Sequence, residues 1–367
     1  MPETPIPESA TISAAEKVLL VDDNPTNLQV LVQTLAGKGC KLLVARNGED
    51  ALAIAKKTRP ALILLDIMMP GIDGYEVCRR LKAEPETRDI AVIFLSALGE
   101  TRDKVRGLEL GAVDYVGKPF QAEEVVARVN THLTIHRLQQ DLQAANQRMK
   151  RDLDTAARVQ QALLPERAPV TDRADFAWAY RPCDELAGDS LNLFQLDDRH
   201  VGLYVVDVSG HGVPSALLSV SVTRSLLPGV GPTSLVTVPS PDPSGSTIVS
   251  PAEVATRLNG LYQMDARNTQ YFTLLYGVLD THERRLRCVI AGHPGPVLIR
   301  AGQPPRAFDV PAFPIGMMDG TTYTDTVIEL RSGDRLYLYS DGVTEETNPE
   351  DVPFGNERLF ETLDGAR

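Results

Sequence analysis

Six aspartates stand at the ends of short apolar runs or beside glycines, and those placements are where chemistry could reside. Asp22 and Asp23 follow Val18–Val21, and Asp66 follows Leu62–Leu65. Asp207 follows Leu203–Val206, Asp341 follows Leu336–Ser340, and Asp189 closes Ala187-Gly188-Asp189. Carboxylate oxygens are hard donors that suit Mg2+. Two such cations held by carboxylates can activate a water and clamp a phosphate for in-line attack. A glycine beside the acid lets backbone come close to an ion. Any single Asp-Gly pair is ordinary turn chemistry, and acids near Lys118 could form a purely structural ion pair. Weight comes from the grouping, which also brings Ser96 and Lys118 to strand ends. His211 and His293 accompany the second group, but hard cations favour oxygen, so a loop-shaping role fits them better than ligation.

The elements that must position these residues divide the chain. From Lys17 to about His136, apolar runs (Val18–Val21, Lys41–Val44, Leu62–Leu65, Ala91–Leu95) alternate with helix-like stretches. The runs are too uniformly apolar for half-exposed strands and suit a parallel sheet covered on both faces. That rhythm predicts a doubly wound α/β domain, in which sites form beyond the carboxyl ends of the strands. From about Gln121 to Leu164 no Gly or Pro occurs, and one long helix is expected, ended by Pro165. Its apolar residues Leu138, Leu142, Ala145, Met149, Ala156, Val159 and Leu163 follow a 4-3-4 spacing. This predicts a coiled coil, hence a homodimer; packing of the stripe on the chain's own domains is the alternative.

The last part, from about residue 165, mixes strand-like runs with a few helices and reads as α+β. Strands are expected at Phe176–Tyr180, Val201–Val206, Tyr271–Leu279, Leu286–Ile290, Val297–Ile299 and Arg335–Tyr339, and helices at Val213–Leu227 and Pro251–Met264. The stretch 228–250 is rich in Pro, Ser, Gly and Thr and is expected to be a mobile surface loop. The organisation is then a flexible tail over 1–15, a first domain over 16–136, a helical linker over 137–164 and a second domain over 165–367.

Composition narrows the partners. With 43% hydrophobic and 23% charged residues the chain is globular. A formal net charge of −12 argues against nucleic acid, which demands clustered Lys and Arg. Cys40, Cys78, Cys183 and Cys288 form no CxxC pair and read as reduced, structural thiols of a cytoplasmic protein. No apolar run approaches the roughly 18 residues that would span a bilayer, and the first 15 residues lack the basic and apolar regions of a signal peptide.

The first group of motifs is Asp22-Asp23, Asp66 within Asp66-Ile-Met-Met-Pro-Gly-Ile-Asp-Gly74, Ser96 within Phe94-Leu-Ser-Ala97, and Lys118-Pro119 within Asp114-Tyr-Val-Gly-Lys-Pro-Phe120. It resembles the receiver domains of response regulators, over roughly residues 17–136. The resemblance implies a five-stranded parallel sheet and a phosphoacceptor, Asp66, served by a sensor histidine kinase. Asp23, Asp66 and the carbonyl of Met68 would hold Mg2+, with Asp22 acting through water. Lys118 would offset charge on the phosphoryl oxygens, Ser96 would bond the new phosphate, Tyr115 would be the switch aromatic, and Lys118-Pro119 would be cis.

The second group is Val159-Gln-Gln-Ala-Leu-Leu-Pro165, Arg181-Pro-Cys-Asp-Glu-Leu-Ala-Gly-Asp189, Asp207-Val-Ser-Gly-His-Gly212, Ala291-Gly-His-Pro294 and Gly333 to Glu345. In order and interval it resembles the PPM-type phosphatases of the bacterial stress-response and sporulation branch, over about residues 157–364. The resemblance implies a β-sandwich flanked by helices and two Mn2+ or Mg2+ ions. Asp207 would bridge the ions, the carbonyl of Val208 would bind one, Asp341 would bind the other, and Asp189 would hold metal through water. Two positions depart from the family pattern without touching an expected ligand: Ala187 replaces a glycine and Asn192 a nearby acid. The family's closing Asp-Asp-x-Thr segment does not occur before Arg367, and Asp364 is a poor substitute by position. The expectation is therefore either a truncated C-terminus or an output domain that binds a partner with weak turnover or none. Together the two resemblances imply a receiver-controlled serine/threonine protein phosphatase acting on a phosphorylated anti-sigma-factor antagonist.

Overall fold

The computed structural model describes residues 16–97, 107–182, 186–229, 234–240, 246–264 and 269–365. It divides into two compact units, Met1–Arg148 and Met149–Arg367. The tail over 1–15 and Cys183 lie outside the described residues; Cys40, Cys78 and Cys288 are free thiols.

The first unit carries strands β1 (Glu16–Val21), β2 (Cys40–Ala45), β3 (Leu62–Asp66), β4 (Ala91–Ala97) and β5 (Asp114–Lys118). They form one parallel sheet in the order β2-β1-β3-β4-β5. Helices α1 (Pro25–Leu35), α2 (Gly48–Thr58), α3 (Gly74–Ala83) and the first turns of α4 (Ala122–Gln161) cover its two faces. The uniformly apolar runs follow from this double burial. In β1, Leu19 and Val21 enter the core shared with α2 and α3, while Val18 and Leu20 enter the core shared with α1 and α4; β3 and β4 alternate in the same way. Helices α1, α2 and α3 are each capped by the residue that the chain places there: Asn24 accepts from Thr26 N–H, Asn47 from Asp50 N–H and Asp73 from Glu76 N–H.

Helix α4 runs unbroken for 40 residues. Its first turns bury Val125, Val129 and Leu133 against the sheet. Further on, the spaced apolar positions stay open: Leu138, Leu142, Met149 and Val159 are each about 60% exposed.

The second unit has a five-stranded antiparallel sheet of β6 (Ser190–Gln195), β7 (His200–Val208), β10 (Phe272–Asp280), β11 (Arg285–Ala291) and β14 (Thr326–Glu329), in the order β14-β11-β10-β7-β6. A three-stranded sheet joins β12 (Val297–Ile299), β13 (Arg306–Ala307) and β15 (Arg335–Tyr337). Helices α5 (Val213–Ser225) and α6 (Pro251–Leu261) cover one face of the larger sheet through Val222, Val254 and Leu258, against Phe272 and Leu274. Its other face meets Leu336 and Leu338 of the smaller sheet's edge. After the short α7 (Gly342–Glu345), Leu359 and Leu363 of α8 (Gly355–Gly365) cover Val297 and Ile299 beyond. The layers are helix, sheet, sheet, helix.

Two expectations are corrected. The stretch 228–250 is not simply a loop: β8 (Thr237–Pro239) and β9 (Ser246–Ile248) pair antiparallel. The β-branched Val236 and Val249 beside them are buried in the main core, which overrides the turn-rich composition. Conversely, Phe176–Tyr180 is not a strand. Phe176 packs against the second core, but among the described residues its backbone pairs with no strand.

Candidate functional sites

Val21 pairs with Leu65 in the parallel register of β1 and β3, so the residues that follow, Asp22 and Asp66, emerge side by side. Asp22, Asp23 and Asp66 bring carboxylate oxygens within 4.8 Å of one another, an all-oxygen set that fits a hard divalent cation. Asp22 and Asp66 are buried. Asp22 has both oxygens engaged: Asn27 Nδ2 donates to each, and Asn24 N–H and Lys118 Nζ donate at 2.9 Å. Lys118 Nζ also reaches Asp66 Oδ1 at 2.8 Å. Burial pushes the Asp66 carboxyl above its ordinary range, against the pull of the Lys118 hydrogen bond and charge. Burial alone would lower Lys118, but its bonds to Asp22 and Asp66 reverse this and the net shift is upward. The cation is therefore held in place between two acids. Helix α3 starts against Asp66, where a Cβ on Gly74 would fall 2.2 Å from the Asp66 carbonyl oxygen. Ser96 is buried at the end of β4, and Lys118–Pro119 is cis.

In the second unit β7 delivers Asp207, whose backbone pairs with Thr273 of β10. The chain then turns sharply into α5 through Gly210 and Gly212, both at positive φ (84° and 79°), a conformation that glycine takes without strain. Asp207 lies within hydrogen-bonding reach of both Asp189 and Asp341. Burial first, then the charges of Asp189 and Asp341, push its carboxyl up to about 8. Three acids converging from separate segments form a site that favours a cation or a proton, and their oxygen donors fit Mn2+ or Mg2+. Ser340 Oγ donates to Asp189 Oδ2 at 2.8 Å. The Val208 carbonyl is close to the same loop, since a Cβ on Gly188 would lie 2.7 Å from it.

Comparison with known proteins matches both halves. Residues 18–130 match the family model of the response regulator receiver domain, and residues 197–367 match that of Stage II sporulation protein E (SpoIIE). The chain joins a receiver domain to a domain of the SpoIIE/PPM phosphatase family. A "probable transcriptional regulator ycf27" of Porphyra purpurea is 46% identical over 118 residues, which is 32% of this chain and 47% of that protein. The DNA-binding response regulator MtrA of Mycolicibacterium smegmatis is 42% identical over 118 residues, 32% of this chain and 50% of that protein. The chain thus spans about half the length of the curated relatives it matches. Among solved structures, the signal receiver domain of a signal transduction histidine kinase from Syntrophus aciditrophicus is 40% identical, covering 33% of this chain and 91% of that one, with a TM-score of 0.31.

In the receiver domain, Tyr115 is half-buried on β5. Arg128 of α4 sits 5.4 Å from its ring centroid and binds Asp114 at 2.6 Å, a network that sequence reading missed because its partners stand 14 positions apart on different elements. Met68, expected as a carbonyl donor, has an exposed side chain, and its backbone N–H bonds the Asp66 carboxylate. In the SpoIIE-type domain the two histidines part company. His211 is exposed in the turn before α5. His293 is buried, its Nδ1 lies 2.6 Å from Thr273 Oγ1, and burial lowers its pKa to about 4 despite the nearby Asp341. Asp364 is exposed near the end of α8.

Proposed function

We propose that this response regulator takes a phosphoryl group on Asp66 from a sensor histidine kinase and thereby controls a metal-dependent phosphatase that acts on a phosphoserine or phosphothreonine protein. The observation that carries the second half is the convergence of Asp189 and Asp341 on the half-buried Asp207. When bound, Mg2+ in the receiver and two Mn2+ or Mg2+ in the SpoIIE-type domain supply charge neutralisation and an acidified water.

The chain's own residues do the rest. In the receiver, Asp23, Asp66 and the Met68 carbonyl hold the cation, with Asp22 supporting through water. Asp66 attacks phosphorus: an aspartyl O–P bond forms as the histidine N–P bond breaks. Lys118, fixed between Asp22 and Asp66, stays with the phosphoryl oxygens, and Ser96 bonds one of them. Tyr115 then repacks as the switch. In the SpoIIE-type domain, Asp207 and Asp341 with the Val208 carbonyl hold the ions and Asp189 orients water. Water oxygen bonds phosphorus as the seryl or threonyl P–O bond breaks, and the alkoxide takes a proton.

The exposed apolar stripe of α4 supports a homodimer joined as a coiled coil, the route by which the receiver state reaches the output domain. A phosphorylated anti-sigma-factor antagonist is the substrate class that fits the family resemblance, in the cytoplasm. The test is Mn2+-dependent hydrolysis of an aryl phosphate by the chain with and without beryllofluoride. Turnover lost in Asp207→Asn supports the enzyme, and beryllofluoride gives the sign of control. No Mn2+-dependent turnover in either state would sink the phosphatase reading and leave a domain that binds its partner without dephosphorylating it.

A further inference from the structure

Helix α4 ends on the loop that carries Asp189. Gln160, in its last turn, is half-buried, and its side-chain amide bonds one residue twice. Nε2 donates to the Ala187 carbonyl at 2.6 Å, and Oε1 accepts from the Ala187 N–H at 3.2 Å. Ala187 is buried, so its two backbone groups must find partners within the protein. One side chain supplies both, as a neighbouring strand would.

The rest of the loop is held from within the domain. Gly188 lies against the Val208 carbonyl with no room for a Cβ. Ser340 Oγ donates to the Asp189 carboxylate at 2.8 Å, and Tyr180 Oη donates to the Asp189 carbonyl at 3.2 Å. Just after the helix, the Leu163 carbonyl accepts from Asn192 Nδ2 of β6 at 3.5 Å. The clamp at Ala187 is thus the point at which the helix itself grips the segment bearing a proposed metal residue.

We propose that Gln160 is a positioning residue of the metal site: through Ala187 it sets where Asp189 stands relative to Asp207. This rests on the reading of Asp189 and Asp207 as metal residues. It makes the end of the linker helix a working part of the output domain's site.

The test uses the full chain, with Mn2+ binding followed by calorimetry and defined as the binding that Asp207→Asn removes. Gln160→Leu keeps the helix and deletes both bonds; Gln160→Glu keeps the acceptor and deletes the donor. Gln160→Leu should weaken that Mn2+ affinity about tenfold, on the order of one net hydrogen bond, and Gln160→Glu should weaken it less. Amide exchange across 186–190 should quicken in the metal-free Gln160→Leu chain. Aryl phosphate turnover should then need more Mn2+ and recover at excess Mn2+, which general damage to the fold would not allow. Unchanged Mn2+ affinity in Gln160→Leu overturns the proposal and leaves the site reading intact. Absence of any Asp207-dependent Mn2+ binding in the unmodified chain overturns both.

Discussion

At Asp207 three carboxylates meet, and desolvation of that acid, reinforced by their repulsion, has a measurable sign. The folded pKa of about 8 lies far above the ordinary value near 3.8. The metal-free folded state therefore holds a proton that the unfolded chain releases. Between about pH 4 and pH 8 the stability of the metal-free chain should fall as pH rises. Chelator-treated protein should melt at a lower temperature near pH 8 than near pH 6, and Asp207→Asn should flatten that difference. Mn2+ should stabilise the chain more near pH 8, because the proton no longer competes. At this scale the sequence is generous where the signal is local: Asp22, Asp66 and Asp207 could be picked out because each follows an apolar run. It is silent where the signal is distant. Ser340 meets Asp189 across 151 positions and Gln160 meets Ala187 across 27, and no local pattern announces either contact.

The elements add constraints that single residues do not. Helix α3 begins so close to β3 that Gly74→Ala would push a methyl to 2.2 Å from the Asp66 carbonyl oxygen. Overpacking of this kind costs about 1–3 kcal/mol. Chemical denaturation should show that loss, together with slower phosphorylation of Asp66 by a small phosphodonor. Helix α4 poses a separate test. If its exposed stripe joins two chains, Leu142→Glu should shift the chain toward monomer in sedimentation, whereas a charge on the helix's opposite face should not. The period of the stripe made the helix legible, and the two-sided cores made the parallel sheet legible. The hairpin of β8 and β9 was not, because composition there argued for a loop while the burial of Val236 and Val249 decided otherwise.

For the whole molecule, the curated relatives are described as transcriptional or DNA-binding regulators over a stretch the length of a receiver, while the second family match here is SpoIIE. With a net charge of −12, the chain should not retard duplex DNA in a gel shift at physiological salt, with or without beryllofluoride. Retardation would favour a DNA-binding regulator instead. Among the described residues no helix is long and apolar enough to cross a membrane.

The two-sided burial of the receiver's strands has a further effect. With aliphatic residues on both faces of β1, β3 and β4, sliding a strand by one position trades one greasy neighbour for another, so hydrophobicity is nearly blind to alignment. What cannot be traded is the polar row at the carboxyl ends. A slipped β3 would drag Asp66 into the apolar layers and away from Lys118, or leave a leucine where the acid belongs. The acids and the lysine thus act as an index mark for the sheet, and the row proposed to carry phosphotransfer also tells the strands where to stop.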